Sequence, residues 1–169
     1  MHAHNRNGVA HASANLTIRP AIADEVESLS AVARESKAHW GYPDETIESW
    51  HDDLTLTIGE LDELVVQVAT INGEIAGFYA LMPSTGESWS LEHFWVLPQY
   101  MHRGVGRALL AHALTTAFDR NAAGVVVDAD PNAENFYVRC GARRVGEISA
   151  PIAGDPYRVR PQLIFTKDR

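Results

Sequence analysis

The chain has 169 residues, 46% hydrophobic and 21% charged, an ordinary balance for a soluble globular protein and long enough to bury roughly two-thirds of its unfolded surface in one domain. Its formal net charge of −8 disfavours general nucleic-acid binding and mildly favours cationic small molecules. No apolar run reaches the roughly 20 residues of a membrane span. The N-terminus lacks a signal-peptide pattern, and one cysteine, Cys140, excludes an internal disulfide, so a reducing cytoplasm is the expected location.

Residues 1–14, with His2, His4 and His11 among small polar residues, show no periodicity and read as a mobile tail, leaving 15–169 as one domain. Leu16 to Arg19 suits a short strand. Pro20 and the acids Asp24 and Glu25 then mark a helix start. Ile22, Val26, Leu29, Val32 and Ala33 recur three or four apart, which predicts one buried stripe on a helix ending near Ala38. Ser36 to Pro43 is a bent connection carrying His39, Trp40 and Tyr42, and Asp44 can cap a second helix bearing Ile47, Trp50 and Leu54.

Leu64 to Ile71 and Glu74 to Leu81 read as strands around Asn72-Gly73, a dipeptide that favours a two-residue hairpin because both turn positions need positive φ. A further strand is predicted over 88–97. Three consecutive antiparallel strands are unlike a parallel dinucleotide fold, which needs helices between its strands.

Pro98 stops the third of these strands. Gly104-Val105-Gly106 then opens a helix running to about Arg120. A helix N-terminus presents unpartnered N–H groups and partial positive charge, and glycines let an anion approach the backbone. Arg103 and Arg107 can add full charges. A dinucleotide fingerprint fails because Leu109 stands where a third glycine is needed, and a P-loop fails for want of Lys-Ser or Lys-Thr.

Gly124 to Asp128 is a valine-rich strand reached through a helix, hence predicted parallel to the strand before it. In Asp130-Pro131-Asn132-Ala133-Glu134-Asn135-Phe136-Tyr137-Val138-Arg139-Cys140-Gly141-Ala142, the Asp-Pro start and Gly exit bound a short helix. Phe136 and Cys140 are predicted to share its buried stripe, with Tyr137 pointing elsewhere. Arg143 to Ala150 and Gln162 to Thr166 read as a closing hairpin around a Pro/Gly-rich connection over 151–161.

The 91–110 stretch resembles the acyl-CoA loop of the GCN5-related N-acetyltransferases (GNAT family), a Gln/Arg-x-x-Gly-x-Gly/Ala signature. Met101 replaces its first residue and His102 a frequent glycine. The Asp130–Ala142 segment resembles the second motif of the same family, and the resemblance covers nearly the whole chain from Leu16. It implies an α/β fold, a mixed and mostly antiparallel sheet of about seven strands with about four helices. It implies acetyl-CoA as cosubstrate and transfer of its acetyl group to a primary amine, on a small molecule first and on a protein or peptide N-terminus second; an acetyl-CoA-binding or sensing module without turnover is the alternative.

By the same resemblance, His102, Arg103, Gly104, Val105, Gly106 and Arg107 hold the pyrophosphate. Phe94, Trp95 and Val96 offer backbone to the pantetheine arm, with an amide of Trp95 or Val96 polarising the thioester carbonyl, and Asn132 contacts the cofactor near the gap. Tyr137 matches the acid that protonates the leaving thiolate. By that resemblance Glu92 takes the position of the base, directly or through water, while His93 has the better intrinsic pKa for that task. His39, Trp40 and Tyr42 border the acceptor pocket, with His93 as a further substrate contact. No metal signature is present, and relatives of this kind often form homodimers.

Overall fold

In the computed structural model, which describes residues 15–167, Asn72 and Gly73 take φ of 51° and 84°. That pair of left-handed residues is what a two-residue turn between twisted strands demands. The turn joins β2 (Val65–Ile71) to β3 (Glu74–Met82), and β1 (Leu16–Pro20) and β4 (Trp89–Val96) flank them, each neighbour antiparallel. After helix α4 (Val105–Asp119), β5 (Val125–Asp128) lies parallel to β4, and β6 (Arg143–Ser149) and β7 (Val159–Phe165) close the sheet as an antiparallel hairpin. The seven strands run β1-β2-β3-β4-β5-β7-β6. The α/β architecture, the mixed sheet and the parallel β4–β5 step agree with the sequence reading. The predicted tail over 1–14 lies outside the described residues.

Alternation along the strands sends one set of side chains to each face. Tyr79, Leu81 and Leu91 pack with Leu109, Leu110 and Ala113 of α4, while Phe78, Ala80, Val66 and Val68 pack with Leu29, Val32 and Ala33 of α1 (Val26–Ala38). The sheet is therefore sandwiched between α4 with α5 (Glu134–Arg139) on one side and the N-terminal helices on the other.

Among the described residues, five helices stand where about four were expected. The second predicted helix stops early: α2 spans Asp44–Ser49, Trp50 caps it, and Leu54 belongs to the turn beyond. Leu54 and Leu56 are buried against α1, so core packing overrides the helical spacing. An unforeseen helix, α3 (Ile58–Glu63), follows. Its signal was legible: the Thr57 side chain accepts a hydrogen bond from the Glu60 amide at 3.3 Å, half of a capping box. At the other end of this layer, Ile22 is exposed and not part of the α1 stripe, because residues 23–25 form a tight 3-10 turn before the helix proper.

Two irregularities in β3 and β4 shape the centre. Ala80 pairs with His93 but Leu81 with Leu91, so Glu92 is an extra residue, a β-bulge. The bulge flips the alternation, so that Phe94 and Val96 as well as Leu91 face the α4 side. Gly77 sits where a Cβ would lie 2.3 Å from the Trp95 carbonyl oxygen, so only glycine permits this approach of β3 to β4.

Candidate active site

Only two residue pairs join β4 to β5, Trp89 with Val125 and Ser90 with Val126; beyond them the strands separate. The Leu97 amide donates to the Ala76 carbonyl at 2.8 Å, so in this antiparallel ladder Leu97, Trp95 and His93 direct their N–H and C=O groups to β3. By alternation Phe94 and Val96 direct theirs into the gap. The Val96 carbonyl is taken by the Ser36 hydroxyl at 2.9 Å; the amides of Phe94 and Val96 face the opening. Trp95, predicted alongside Val96 as the polarising amide, has its amide in the β3 ladder, and its indole N–H donates to His93 Nδ1 at 3.1 Å.

The gap widens into a cleft of about 1320 Å³. At one end stands the loop before α4. His102 and Gly104 both have positive φ, 61° and 82°, which explains why a glycine suits the position His102 occupies. Gly104 is the N-cap and supplies no side-chain cap, so the first amides of the 15-residue helix have no partner from it. Nothing lies within 4 Å of a Cβ built on Gly104, whereas one on Gly106 would touch Phe136 at 3.4 Å. Met101, His102, Gly104, Gly106 and Arg107 line the cleft. Two predicted cofactor residues point away: Arg103 lies over the Tyr100 ring, 6.0 Å from its centroid, and the Val105 side chain is buried in the core. Val105 can therefore serve an anion through its backbone alone. The loop's open backbone, the free helix amides and the unpaired edge of β4 fit a phosphate followed by an extended amide-bearing arm, which is the chemistry of coenzyme A.

Tyr137 corrects the predicted orientation of α5. It is 5% exposed, more buried than Phe136 or Cys140, and stands among Phe94, Phe136 and Phe165 while lining the cleft. The short helix presses its middle onto the sheet beside the gap, so the residue 100° from Phe136 also turns inward. Burial pushes the Tyr137 phenol well above its ordinary pKa, and the Asp130 charge adds to the shift.

Glu92, at the bulge, is exposed and lines the cleft. His93 lines it too but is 7% exposed, and burial lowers its pKa against the opposing pull of Glu60, Glu92 and Asp53. With Nδ1 accepting from Trp95, the neutral ring carries its proton on Nε2. A neutral His93 in that tautomer is a donor to the cleft, and its one lone pair is occupied.

The other wall is a polar cluster that the sequence did not disclose. Asp130 accepts from Lys37 at 2.5 Å, from Tyr42 at 2.8 Å and from Arg158 at 3.4 Å. Burial alone would raise the Asp130 carboxyl, but the Lys37 charge and hydrogen bond, with the Asn132 amide and the Tyr42 hydroxyl, hold it below the usual carboxylate range. Asn132 lines the cleft and donates to Asp130 and to the Tyr42 hydroxyl. Of the predicted acceptor residues, His39 and Trp40 line the cleft, stacked edge-to-face at 5.5 Å, while Tyr42 stands behind Asp130. Asp52, Asp53, Glu60 and Glu63, around α3, add an acidic side.

A model of the acetyltransferase (GNAT) family matches residues 24–142. The fold is similar to that of a GCN5-related N-acetyltransferase from Rhodopseudomonas palustris, with 22% identity over 89% of this chain and 94% of the other, at a TM-score of 0.73. It is also similar to the PaiA N-acetyltransferase from Thermoplasma acidophilum in complex with coenzyme A, with 20% identity, 89% and 98% coverage and a TM-score of 0.73. A ribosomal-protein alanine N-acetyltransferase from Escherichia coli shares 19% identity over 88% and 90% of the two chains, at a TM-score of 0.63. No curated protein matches the sequence. Among the described residues, no helix is long and apolar enough to cross a membrane.

Proposed function

The chain belongs to the GNAT family of acetyl-CoA-dependent N-acetyltransferases, and from that premise we propose that residues 15–169 act as one domain that acetylates a primary amine on a small molecule, by direct attack in a ternary complex. Acetyl-CoA supplies the activated acyl group; the residues of this chain hold it, orient it and move protons. The observation that carries this reading is the parting of β4 from β5 after two residue pairs, which opens onto a helix N-terminus with free amides.

The α4 amides, with the backbone of His102 to Gly106 and the Arg107 side chain, hold the pyrophosphate. The amides of Phe94 and Val96 align the pantetheine arm as an added strand, and the Val96 amide lies where a donor can stabilise charge growing on the thioester oxygen. Glu92 accepts the proton of the attacking amine, directly or through one water. The hydrogen bond from Trp95 to His93 Nδ1 favours Glu92 over His93 for this role, and it gives His93 the part of a donor to the acceptor. Tyr137 donates a hydrogen bond to the sulfur as the C–S bond breaks. Its raised pKa keeps it protonated until that step; it passes its proton to the leaving thiolate and is reprotonated from solvent, to which Glu92 releases the proton shed by the amine. The acidic side around α3 attracts an ammonium end.

Calorimetric titration with acetyl-CoA, with NADH as control, followed by amine-dependent release of CoA, tests the reading. Saturable binding of acetyl-CoA and turnover with a small primary amine are expected. Binding without turnover of any amine or peptide N-terminus would leave a sensing module instead.

A further inference from the structure

Two cations close on one carboxylate at the acceptor wall. The side chains of Lys37, Asp130 and Arg158 are 11%, 7% and 6% exposed, so a formal charge of one positive in excess is held out of water. Asp130 needs only one cation for balance. Lys37 already provides it at 2.5 Å, and Arg158 stands further off at 3.4 Å. Arg158 is further held by donation to the Ala150 carbonyl and the Tyr42 hydroxyl, and by packing on the Trp50 ring, 5.3 Å from its centroid. Yet its Nε is buried with no hydrogen-bond partner among the described residues. Buried donors are almost always paired, so a lone one beside an uncompensated charge marks a place where a ligand acceptor belongs. Lys37, Trp50, Asp130 and Arg158 all line the cleft.

We propose that the acceptor amine carries a carboxylate, as an amino acid does, and that Arg158 with Lys37 receives it at this wall. The inference rests on the reading of the cleft as an amine-acetylating site and narrows its substrate class. A carboxylate is planar, with two oxygens spaced to meet adjacent guanidinium nitrogens. Its single negative charge matches the single excess positive charge of the cluster. The acids Asp53, Glu60 and Glu92 act on His93 and line the same cleft on elements other than those that carry Lys37 and Arg158, so the lining offers both signs of charge to a zwitterion.

The test sets free amino acids beside their own carboxamides as acceptors, at saturating acetyl-CoA, and follows CoA release. At least one acid should exceed its carboxamide in kcat/KM by about tenfold or more, because a buried polar site rejects the analogue that leaves it unpaired. Arg158→Gln should bring that ratio close to one. Lys37→Gln serves the same purpose should Arg158→Gln fail to fold, as judged by circular dichroism. Carboxamides used as well as acids by the wild-type protein would overturn the inference and leave acetyl transfer standing. A preference that survives in the folded variants would make the cluster a tie between loops and overturn it as well. Turnover with no amine at all would sink this inference together with the proposed function.

Discussion

The two walls of the cleft are built differently. The wall that fits coenzyme A is mostly backbone: the free amides of α4, the left-handed residues His102 and Gly104, and the edge of β4 left bare where β5 departs. The opposite wall, where we place the acceptor, is mostly side chain, a cluster of Lys37, Tyr42, Asp130 and Arg158 drawn from α1, the connection after it, the turn after β5 and the connection before β7. A backbone site is specified by a few contiguous residues and tolerates exchange of the others. A side-chain site depends on every member at once, since removing one strands the rest in a buried place. The first can therefore hold its ligand while neighbouring residues change, whereas the second cannot lose a member without disturbing the rest.

Substitutions that strike one wall and spare the other should separate these properties. The largest effect is expected from Asp130→Asn, which leaves Lys37 and Arg158 facing each other across a neutral amide. Loss of one partner from a buried pair costs about 3 kcal/mol or more, so thermal unfolding should shift down by roughly 6 to 12 °C for a chain of this size. An unchanged midpoint would mean that water reaches the cluster freely. Tyr137→Phe comes next, with kcat lowered about a hundredfold and acetyl-CoA affinity unaltered. Because burial holds the phenol above its ordinary pKa, the ratio of wild-type to variant kcat should stay level between about pH 7 and pH 10. A ratio that falls with a midpoint near the ordinary phenol value would show Tyr137 titrating as a solvated group. Gly104→Val is smaller in stability, about 1 to 2 kcal/mol for a branched residue at φ 82°, and should weaken acetyl-CoA binding about tenfold by crowding the open loop. Equal affinity would place the pyrophosphate elsewhere.

The same division decides what the sequence could disclose. Asn72-Gly73 and the Gly104–Gly106 loop were legible because the physics that fixes them acts within two or three residues: positive φ, an unpartnered amide, a Cβ that must be absent. The Lys37–Asp130 pair spans 93 positions and the Arg158–Tyr42 hydrogen bond 116, and no local pattern in Ser36 to Pro43 or in residues 151–161 marks them as partners. The bulge at Glu92 is intermediate. Its residues are contiguous, but the shift of pairing shows only against β3, and it alone decides that Trp95 joins the β3 ladder while Phe94 and Val96 face the gap. The family motif points to Tyr137, but helical spacing alone turns it away from the core, whereas a six-residue helix seated across a sheet buries more than one stripe.

His93 lies between the two walls and offers the finest discrimination. Its folded pKa is depressed by burial, so the unfolded chain takes up a proton at a higher pH than the folded one. The stability it contributes is complete above the unfolded value of about 6.5 and declines as pH falls from there through the lower folded value. Asp130 follows the same sign further down: its carboxyl is depressed, so its contribution is present above the unfolded carboxylate value and lost in more acidic solution. The two losses therefore fall in separate pH windows. His93→Asn places a carbonyl oxygen where Nδ1 accepts from Trp95, retaining that hydrogen bond while removing the titration. Urea midpoints of the variant should be flat between about pH 7 and pH 5, where those of the wild-type protein decline. Equal slopes in the two proteins would mean that His93 gains its proton as readily folded as unfolded. The lone pair given to Trp95 would then be available, and His93 would return beside Glu92 as a base for the incoming amine.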